Sequence, residues 1–298
     1  MVLSWPDGPR TARGASIPRT RAAERGTLRG MRLSIELVPR DEASMASQLA
    51  EVSCLSRVDT INVPDLRQFE LRVLQAAAQV RSAGQWAAVL HLRATEVCAN
   101  PGAAADVARA LASAGVREVL VVSGDQGPAT TQTSGRTSAG KDAVTSQSVR
   151  PLGLSGPPAL EAIRVLKAAD AGLKVYAALD PYRAGFSDEL AYAEAKLEAG
   201  ADGLFTQPFF DLRLLDVWRE LTAGVNVFWG VTSVTSARSQ RYWLSRNRAV
   251  FPAGFEPTLE WHRKLAARVI DDVGARGGNL YFMPIRVGIV DWLGDLLA

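Results

Sequence analysis

The sequence predicts an α/β protein, a single-domain (β/α)8 TIM barrel formed by residues 31–298. Three observations favour this fold. Short β-rich runs alternate with helical segments from Met31 onward, eight such runs lie between residues 32 and 285, and most of them are almost continuously apolar. Strict alternation indicates parallel strands buried on both faces, and eight units of this total length are typical of the barrel. No GxGxxG follows the first run, which disfavours a dinucleotide-binding doubly wound sheet.

The predicted strands are recognised by their apolar and β-branched residues. In chain order they are RLSIEL (32–37), TINVP (60–64), WAAVLHLR (86–93), EVLVVSG (118–124), KVYAALDP (174–181), GLFTQP (203–208), VNVFWGV (225–231) and NLYFMPI (279–285). Alanine-rich stretches with helical periodicity lie between them, and three clear examples end in glycine, as helices often do. These examples cover residues 101–115, 158–172 and 188–200.

The composition is that of an ordinary soluble enzyme, with 47% hydrophobic and 22% charged residues. No apolar run approaches the roughly 20 residues needed to span a bilayer, so we expect no membrane association. The chain has two cysteines without CxxC spacing and two histidines. Few cysteines favour a reducing, cytoplasmic location, and so few thiols and imidazoles predict no metal site.

Residues 1–30 account for all of the excess positive charge, because they contain six arginines and two acidic residues. The remainder of the chain is close to neutral, so its charge gives no reason to expect nucleic acid as a partner. The Pro, Gly and Arg content predicts a disordered or non-native extension before a catalytic domain of residues 31–298. Two interpretations remain open: a sequence resembling a transit peptide, or a domain that begins at Met31.

Segment 125–150 is long, polar and rich in Ser, Thr and Gly. A loop of this length inside a compact domain is usually a mobile lid or disordered. It follows the fourth predicted strand, on the face where such barrels place their active sites. We therefore expect it to border the site.

Polar residues follow almost every predicted strand, where a barrel brings strand ends together. In LFTQPFFDL (204–212), for example, the amide of Gln207 ends an apolar strand and must find hydrogen-bond partners or a ligand. The whole set comprises Glu36, Asn62, Asp65, His91, Arg93, Asp125, Asp180, Gln207, Thr232, Ser233 and Arg286.

Each member also has a structural interpretation. Glu36 could pair with Arg93, Asp125 could be a turn residue, and His91 could be a core histidine bonded to backbone. Asn62 and Asp65 could shape a turn, and Arg286 could be a surface charge. Against this, a carboxylate between Ile35 and Leu37 is costly unless it is paired or functional.

Several of these strand ends together resemble the methylenetetrahydrofolate reductase family. The matching segments, in order, are SIELVPR (34–40), HLRAT (91–95), VSGDQGP (122–128), KLEAGADGLFTQPFFD (196–211) and GVTSVTS (230–236). Each segment is weakly specific alone, and their shared order is more specific. The resemblance implies a barrel enzyme that reduces 5,10-methylenetetrahydrofolate to 5-methyltetrahydrofolate with reducing equivalents from NAD(P)H.

The resemblance also implies roles for individual residues. Glu36 is similar to the family's general acid, Asp125 to an aspartate near the pterin, and Gln207 to a glutamine that contacts the pterin. Arg286 is a looser match to an arginine that meets the folate tail. We therefore expect Glu36 and Asp125 to be catalytic, and Gln207, Arg286, Asn62 and Asp65 to bind the substrate. The expected cofactor-binding residues are His91, Asp180, Lys196 and Thr206.

Departures from the family pattern bear on the cofactor. Flavin-containing members have an arginine where Ser123 stands, and Asn and Arg near the positions of Tyr192 and Ala195. Their fifth strand leads into a histidine-containing segment, replaced here by DPYRAGF (180–186), and Ala237 lies near the position of a folate-stacking aromatic. This pattern is similar to a divergent branch that uses no flavin. We expect NADH (or NADPH) to reduce the folate directly, in place of FAD.

Alternatives remain at this stage. The chain could be an ordinary FAD-dependent member of the family, or a catalytically silent barrel that binds folate or a protein partner. The sequence does not distinguish NADH from NADPH and leaves the oligomeric state open.

Overall fold

The structure of the chain, a computed structural model, describes residues 30–66, 68–84, 86–123 and 158–298. The predicted extension, apart from Gly30, and the predicted lid at 125–150 lie outside these ranges. No helix in the described ranges is both long and apolar enough to cross a membrane.

Eight parallel strands close a barrel in chain order, and the last strand pairs with the first. The predicted TIM barrel is therefore confirmed. Each observed strand overlaps one predicted run, with ends that differ by at most two residues. The strands are β1 Leu33–Glu36, β2 Thr60–Val63, β3 Ala87–Arg93, β4 Glu118–Val122, β5 Lys174–Leu179, β6 Gly203–Pro208, β7 Val227–Thr232 and β8 Asn279–Met283.

Helices connect the strands on the outside of the barrel. They are α1 Glu42–Ser53, α2 Val73–Ser82, α3 Ala94–Val97, α4 Ala103–Ser113, α5 Pro158–Ala169, α6 Phe186–Glu198, α7 Leu212–Leu221, α8 Ala237–Arg246, α9 Leu259–Arg276 and α10 Ile289–Leu293, followed by a 3₁₀ turn at Gly294–Leu296. Side-chain caps fix where several of them begin, because the first backbone N–H groups of a helix need acceptors. Asp41 accepts from the Ser44 N–H at 2.7 Å before α1, and Asp211 caps α7 in the same way.

The floor of the barrel is closed by a buried ion pair. Arg32 donates to both oxygens of Glu118 at 2.9 and 3.0 Å and to the Tyr176 hydroxyl at 2.9 Å. Tyr176 in turn donates to Glu118 at 3.1 Å. A buried charge is tolerated when it is paired and hydrogen-bonded, so this N-terminal end of the barrel is a structural plug.

Aromatic residues fill the middle layer of the barrel. Phe205 and Phe228 stack with ring centroids 4.1 Å apart, and the rings of Tyr176 and Tyr281 each meet Phe205 edge-on at 5.1 Å. All four are at least 96% buried. This layer separates the ionic floor from the polar mouth at the C-terminal ends of the strands.

An irregularity between β6 and β7 sets the end of β6. The strand register shifts between Phe205 and Pro208, and the Gly230 N–H donates to Thr206 Oγ1 at 2.7 Å. A Cβ atom at residue 230 would lie 2.4 Å from the Thr206 carbonyl oxygen. Glycine is therefore required here for close approach of the two backbones, and this approach places Gln207 at the mouth.

We predict that Gly230→Ala lowers the free energy of unfolding by about 1–3 kcal/mol, because the added methyl group overpacks a backbone contact. Chemical denaturation would measure the change. The control is Gly254→Ala at an exposed position where an added Cβ meets nothing within 4 Å. That substitution should stay within about 0.5 kcal/mol of the parent protein, and equal effects of the two would contradict the close-approach explanation.

Candidate active site

Glu36 ends β1 inside the mouth of the barrel. Its flanking residues Ile35 and Leu37 are fully buried, and its own side chain is 14% exposed. The suggested structural partner, Arg93, pairs instead with Asp65, whose Oδ2 lies 3.4 Å from Arg93 Nε. No Lys or Arg in the described ranges pairs with Glu36, so this carboxyl group is buried without a compensating positive charge.

Burial raises the pKa of Glu36 to about 7, because an apolar setting disfavours the carboxylate. The hydroxyl of Tyr281, on β8, donates to Glu36 Oε2, which acts in the opposite direction and lowers that pKa. Near neutral pH the group is thus divided between acid and carboxylate. That balance is what a general acid working at neutral pH requires.

His91 lies beside Glu36, with Nε2 3.9 Å from Glu36 Oε2. Burial lowers the pKa of His91 to about 3, so its imidazole is neutral at physiological pH. Asn62 supports it from β2: Ser34 Oγ donates to Asn62 Oδ1 at 2.5 Å, and Asn62 Nδ2 lies 3.3 Å from His91 Nε2. With the amide in this orientation, Nε2 accepts and the proton of His91 resides on Nδ1.

This geometry changes the interpretation of Asn62. The residue is fully buried, and both ends of its amide contact protein side chains. Asn62 therefore orients His91 through this hydrogen bond. Its direct contact with the substrate remains a prediction, because both polar atoms of its side chain already contact protein groups.

A cavity of about 390 Å³ opens at the C-terminal ends of β2 to β6, and His91, the neighbour of Glu36, lies in its wall. Five predicted site residues line it: Asp65, His91, Asp180, Lys196 and Gln207. The amide of Gln207 makes no hydrogen bond to any other described residue. It is thus a donor and acceptor available to a ligand, which answers the question raised by its place at the end of an apolar strand.

The side chain of Asp65 is already engaged by other residues of the protein. Its side chain is 6% exposed and lies near both Arg93 and Arg72, and Arg93 also donates to its backbone oxygen at 2.8 Å. Asp65 thus holds Arg93 and the β2–α2 loop in place at the rim of the cavity. A role in substrate binding would require the carboxylate to exchange partners.

A second cluster lies at the end of β5. Burial raises the pKa of Asp180, whose Oδ1 accepts from the Tyr182 N–H at 3.0 Å. Lys196 is 4% exposed and donates to the Ala178 carbonyl oxygen at 2.5 Å; burial lowers its pKa to about 8. These two groups lie together on the cavity wall, and their contact with a cofactor remains a prediction.

Tyr192 lies between two cations of this cluster. Its ring centre is 3.7 Å from Lys196 Nζ and 4.2 Å from the guanidinium carbon of Arg183. Arg183 also forms a 2.5 Å ion pair with the buried Glu189, which accepts from the Asp180 N–H at 3.1 Å. The sequence argument missed Glu189 because it lies within α6, away from any strand end; the signal available was an acidic residue on the buried face of that helix.

Two other predicted residues lie elsewhere. The hydroxyl of Thr206 accepts from Gly230 within the barrel wall, so its predicted cofactor contact remains a prediction without a supporting contact. Arg286 is exposed, has a φ of 58°, and lines a second cavity of about 560 Å³ near Arg40 and Phe69. The two cavities share no lining residue, so the structure does not bring Arg286 together with the residues of the first cavity.

Asp125 lies outside the described residues, so its predicted role stays a prediction. Among the residues that are described, no group of three or more His, Cys, Asp or Glu side chains is arranged to hold a metal ion.

We predict that Glu36→Gln stabilises the fold increasingly as pH rises. A carboxyl group with a raised pKa contributes its full stability below its unfolded value of 4.5 and loses it as pH rises through about 7. Glutamine has no proton to lose, so the variant should gain up to about 3 kcal/mol over the parent between pH 5 and 8. Urea denaturation at a series of pH values measures this difference.

The matched control is Glu260→Gln, which changes an exposed glutamate on α9 that pairs with Lys264. This variant should show no gain at alkaline pH. A Glu36→Gln difference that is flat with pH would show that Glu36 is not a buried, protonatable group.

Comparisons with known proteins agree with the barrel. The family model described as methylenetetrahydrofolate reductase matches residues 69–264. A sequence search of curated proteins finds no match.

Three solved structures illustrate the structural similarity. An uncharacterized protein from Clostridium thermocellum, described as binding two copies of 5-methyl-5,6,7,8-tetrahydrofolic acid, is 11% identical with a TM-score of 0.59, over 92% of this chain and 96% of that one. A 2,3-dimethylmalate lyase of the PEP mutase/isocitrate lyase superfamily is 12% identical with a TM-score of 0.52, over 92% and 82%. A putative lyase/mutase from Burkholderia cenocepacia is 16% identical with a TM-score of 0.50, over 93% and 81%.

At these identities the three structures show a shared fold and nothing about activity. The family model is more specific, because it covers more than half of the chain, including the β6 segment that carries Gln207. The chain belongs to the methylenetetrahydrofolate reductase family.

Proposed function

We propose that the protein reduces 5,10-methylenetetrahydrofolate to 5-methyltetrahydrofolate, with NADH as the direct hydride donor and Glu36 as the general acid. The observation that carries this proposal is the uncompensated carboxyl group of Glu36, whose pKa is raised to about 7 at the mouth of the barrel. Family membership supplies the reaction class, and this group supplies the proton that the reaction needs.

The methylene carbon of the substrate bridges N5 and N10 and cannot accept hydride while both bonds are intact. A proton delivered to N10 allows the bond between that nitrogen and the methylene carbon to break, which leaves a cationic iminium at N5. Hydride then adds to the methylene carbon and gives the 5-methyl product. Glu36 gives up its proton in the first step and regains one from solvent afterwards.

Gln207 is proposed to orient the pterin. Its side-chain amide has no hydrogen-bond partner among the residues that the structure describes, lies on the cavity wall and offers both a donor and an acceptor. A pterin edge presents the complementary pattern, and correct orientation is required for hydride transfer. Because the amide is neutral, it does not compete with Glu36 for the proton.

Asp125 is proposed to stabilise the iminium cation through its negative charge. The proposal for this residue rests on the family resemblance of VSGDQGP. The aspartate follows β4, whose last residue, Val122, lines the cavity together with Ser123.

The described wall of the cavity offers some of the groups that a bound dinucleotide would need. Its cations are already engaged: Arg93 with Asp65, Arg183 with Glu189, and Lys196 with a carbonyl oxygen. A pyrophosphate would therefore find no uncommitted cation among the described wall residues. Asp180 and His91 offer acceptor and donor groups that suit ribose hydroxyls and a carboxamide.

This wall suits a nicotinamide–ribose unit and favours a dinucleotide that binds weakly and leaves after each turnover. A tightly held FAD would gain more from unpaired cations at its pyrophosphate. When bound, NADH supplies the hydride. These features, with Tyr192 and Ala195 at positions where flavin-containing relatives have Asn and Arg, support reduction without flavin.

The direct test is anaerobic incubation of purified protein with 5,10-methylenetetrahydrofolate and NADH, without added flavin. We expect NADH absorbance to fall in proportion to 5-methyltetrahydrofolate formed. Activity that appears only after FAD is added would favour the flavin-dependent alternative. Folate binding without turnover under either condition would favour a silent barrel.

Glu36→Gln should reduce turnover by about 100-fold or more, because the general acid is lost, while the dissociation constant for folate changes little. In the parent protein, turnover should fall as pH rises above about 7, where Glu36 loses its proton. Steady-state kinetics over pH and a binding titration measure both effects.

The control is Glu42→Gln on the exposed first turn of α1, which should behave like the parent. Full activity of Glu36→Gln would remove the assigned role.

A further inference from the structure

We propose that Tyr281 is a positioning residue that sets the proton affinity of Glu36 and selects Oε1 as the oxygen from which the proton is delivered. This inference rests on the proposed function and deepens it. Tyr281 has no role among the residues expected from the sequence, and it acts through Glu36 and not on the substrate.

Tyr281 is placed for this role by the barrel closure. Residue 281 lies on β8, which pairs with β1, and its ring packs edge-on against Phe205 in the middle layer, 4% exposed. The ring is thus fixed by packing, and its hydroxyl reaches up to the carboxyl group at the mouth. A donor held by a packed ring fixes the carboxyl rotamer more firmly than a flexible side chain or a water would.

The two carboxyl oxygens of Glu36 have different surroundings. Oε2 accepts from the Tyr281 hydroxyl and is the oxygen nearest to His91 Nε2, at 3.9 Å. Oε1 has no hydrogen-bond partner among the described residues. Since Oε2 is occupied as an acceptor, the acidic proton resides on Oε1, where it is free to reach a substrate nitrogen.

Tyr281 is the donor and Glu36 the acceptor of their hydrogen bond, and this direction affects the pKa of Glu36. A phenol that donates to a carboxylate favours the charged form, so it opposes the effect of burial. The amide of Asn62 also interacts with the Tyr281 oxygen as a donor, which makes the phenol a better donor. Without this bond, Glu36 would hold its proton more tightly and deliver it less readily at neutral pH.

Among the described residues, no formally charged group faces Glu36, so none competes with Tyr281 in setting the pKa of Glu36. The titratable groups that face Glu36 are His91 from β3, which is neutral, and Tyr281 from β8, whose own pKa is raised well above its usual value. From β2 comes the neutral amide of Asn62. Tyr281 is therefore the group through which the structure offsets the burial of Glu36.

The test is Tyr281→Phe, which keeps the ring and removes the hydroxyl. We expect the pKa of Glu36 to rise by about one to two pH units, because a hydrogen bond to a charged group is lost. Isotope-edited infrared or carbon NMR titration, referenced against Glu36→Gln, reads this shift without any turnover. The alkaline limb of the pH–rate profile should move upward by the same amount.

The matched control is Tyr176→Phe. Tyr176 belongs to the same aromatic layer and also donates to a carboxylate, that of Glu118, but at the floor of the barrel. It should lose stability and leave the Glu36 titration unchanged. A Tyr281→Phe protein that is destabilised to a similar extent, with no shift in the Glu36 pKa, would reduce Tyr281 to a packing residue and overturn the inference.

The two proposals can fail separately. If Glu36→Gln retains full turnover, the catalytic role of Glu36 is lost, whatever the titration shows. If Glu36→Gln is inactive and Tyr281→Phe leaves the pKa of Glu36 unchanged, the proposed function stands and the role of Tyr281 does not.

Discussion

The proposed chemistry of this barrel depends on one constraint: a carboxyl group is buried at the mouth, and no cation among the described residues balances it. The same barrel contains a second buried glutamate, Glu118, at the opposite end. Arg32 and Tyr176 together satisfy Glu118 with an ion pair and a hydrogen bond, whereas Glu36 receives a tyrosine hydroxyl alone. The two glutamates thus illustrate the division of such barrels into a floor that stabilises and a mouth that reacts.

The charged side chains around the cavity pair with one another, and Glu36 is left without a cation among the described residues. Asp65 engages Arg93, and Glu189 engages Arg183. If either arginine were free to approach Glu36, it would favour the carboxylate and remove the acid at neutral pH. Both arginines are thus paired with carboxylates other than Glu36, and no Lys or Arg of the described ranges pairs with Glu36.

The fold and the outline of the site could be predicted from the sequence, since strand runs and strand ends are local properties of the chain. Reading the strand ends predicted Glu36, His91, Asp180 and Gln207 at one mouth; in the structure, the last three line one cavity and Glu36 lies beside His91. The orientation of individual side chains could not be predicted in this way. Thr206 turns into the wall because of a register shift between β6 and β7, and Asp65 is engaged by arginines from two later elements.

Tyr281 shows the limit most clearly. In NLYFM an aromatic residue within a strand is most simply interpreted as packing, and the ring does pack. Its hydroxyl reaches Glu36 only because closure of the barrel brings β8 beside β1, a contact between residues 245 positions apart in sequence. No local pattern carries that information.

A single physical cause sets the protonation of both titratable groups at the centre of the site. Burial disfavours any charged form, so it raises the pKa of the acid Glu36 and lowers that of the base His91. A protonated His91 at 3.9 Å would favour the carboxylate and remove the acid, and a fully solvated mouth would leave Glu36 ionised. In the proposed mechanism, the apolar cluster that contains Phe205, Phe228 and Met283 would help to keep the proton on the carboxyl group until a more basic nitrogen arrives.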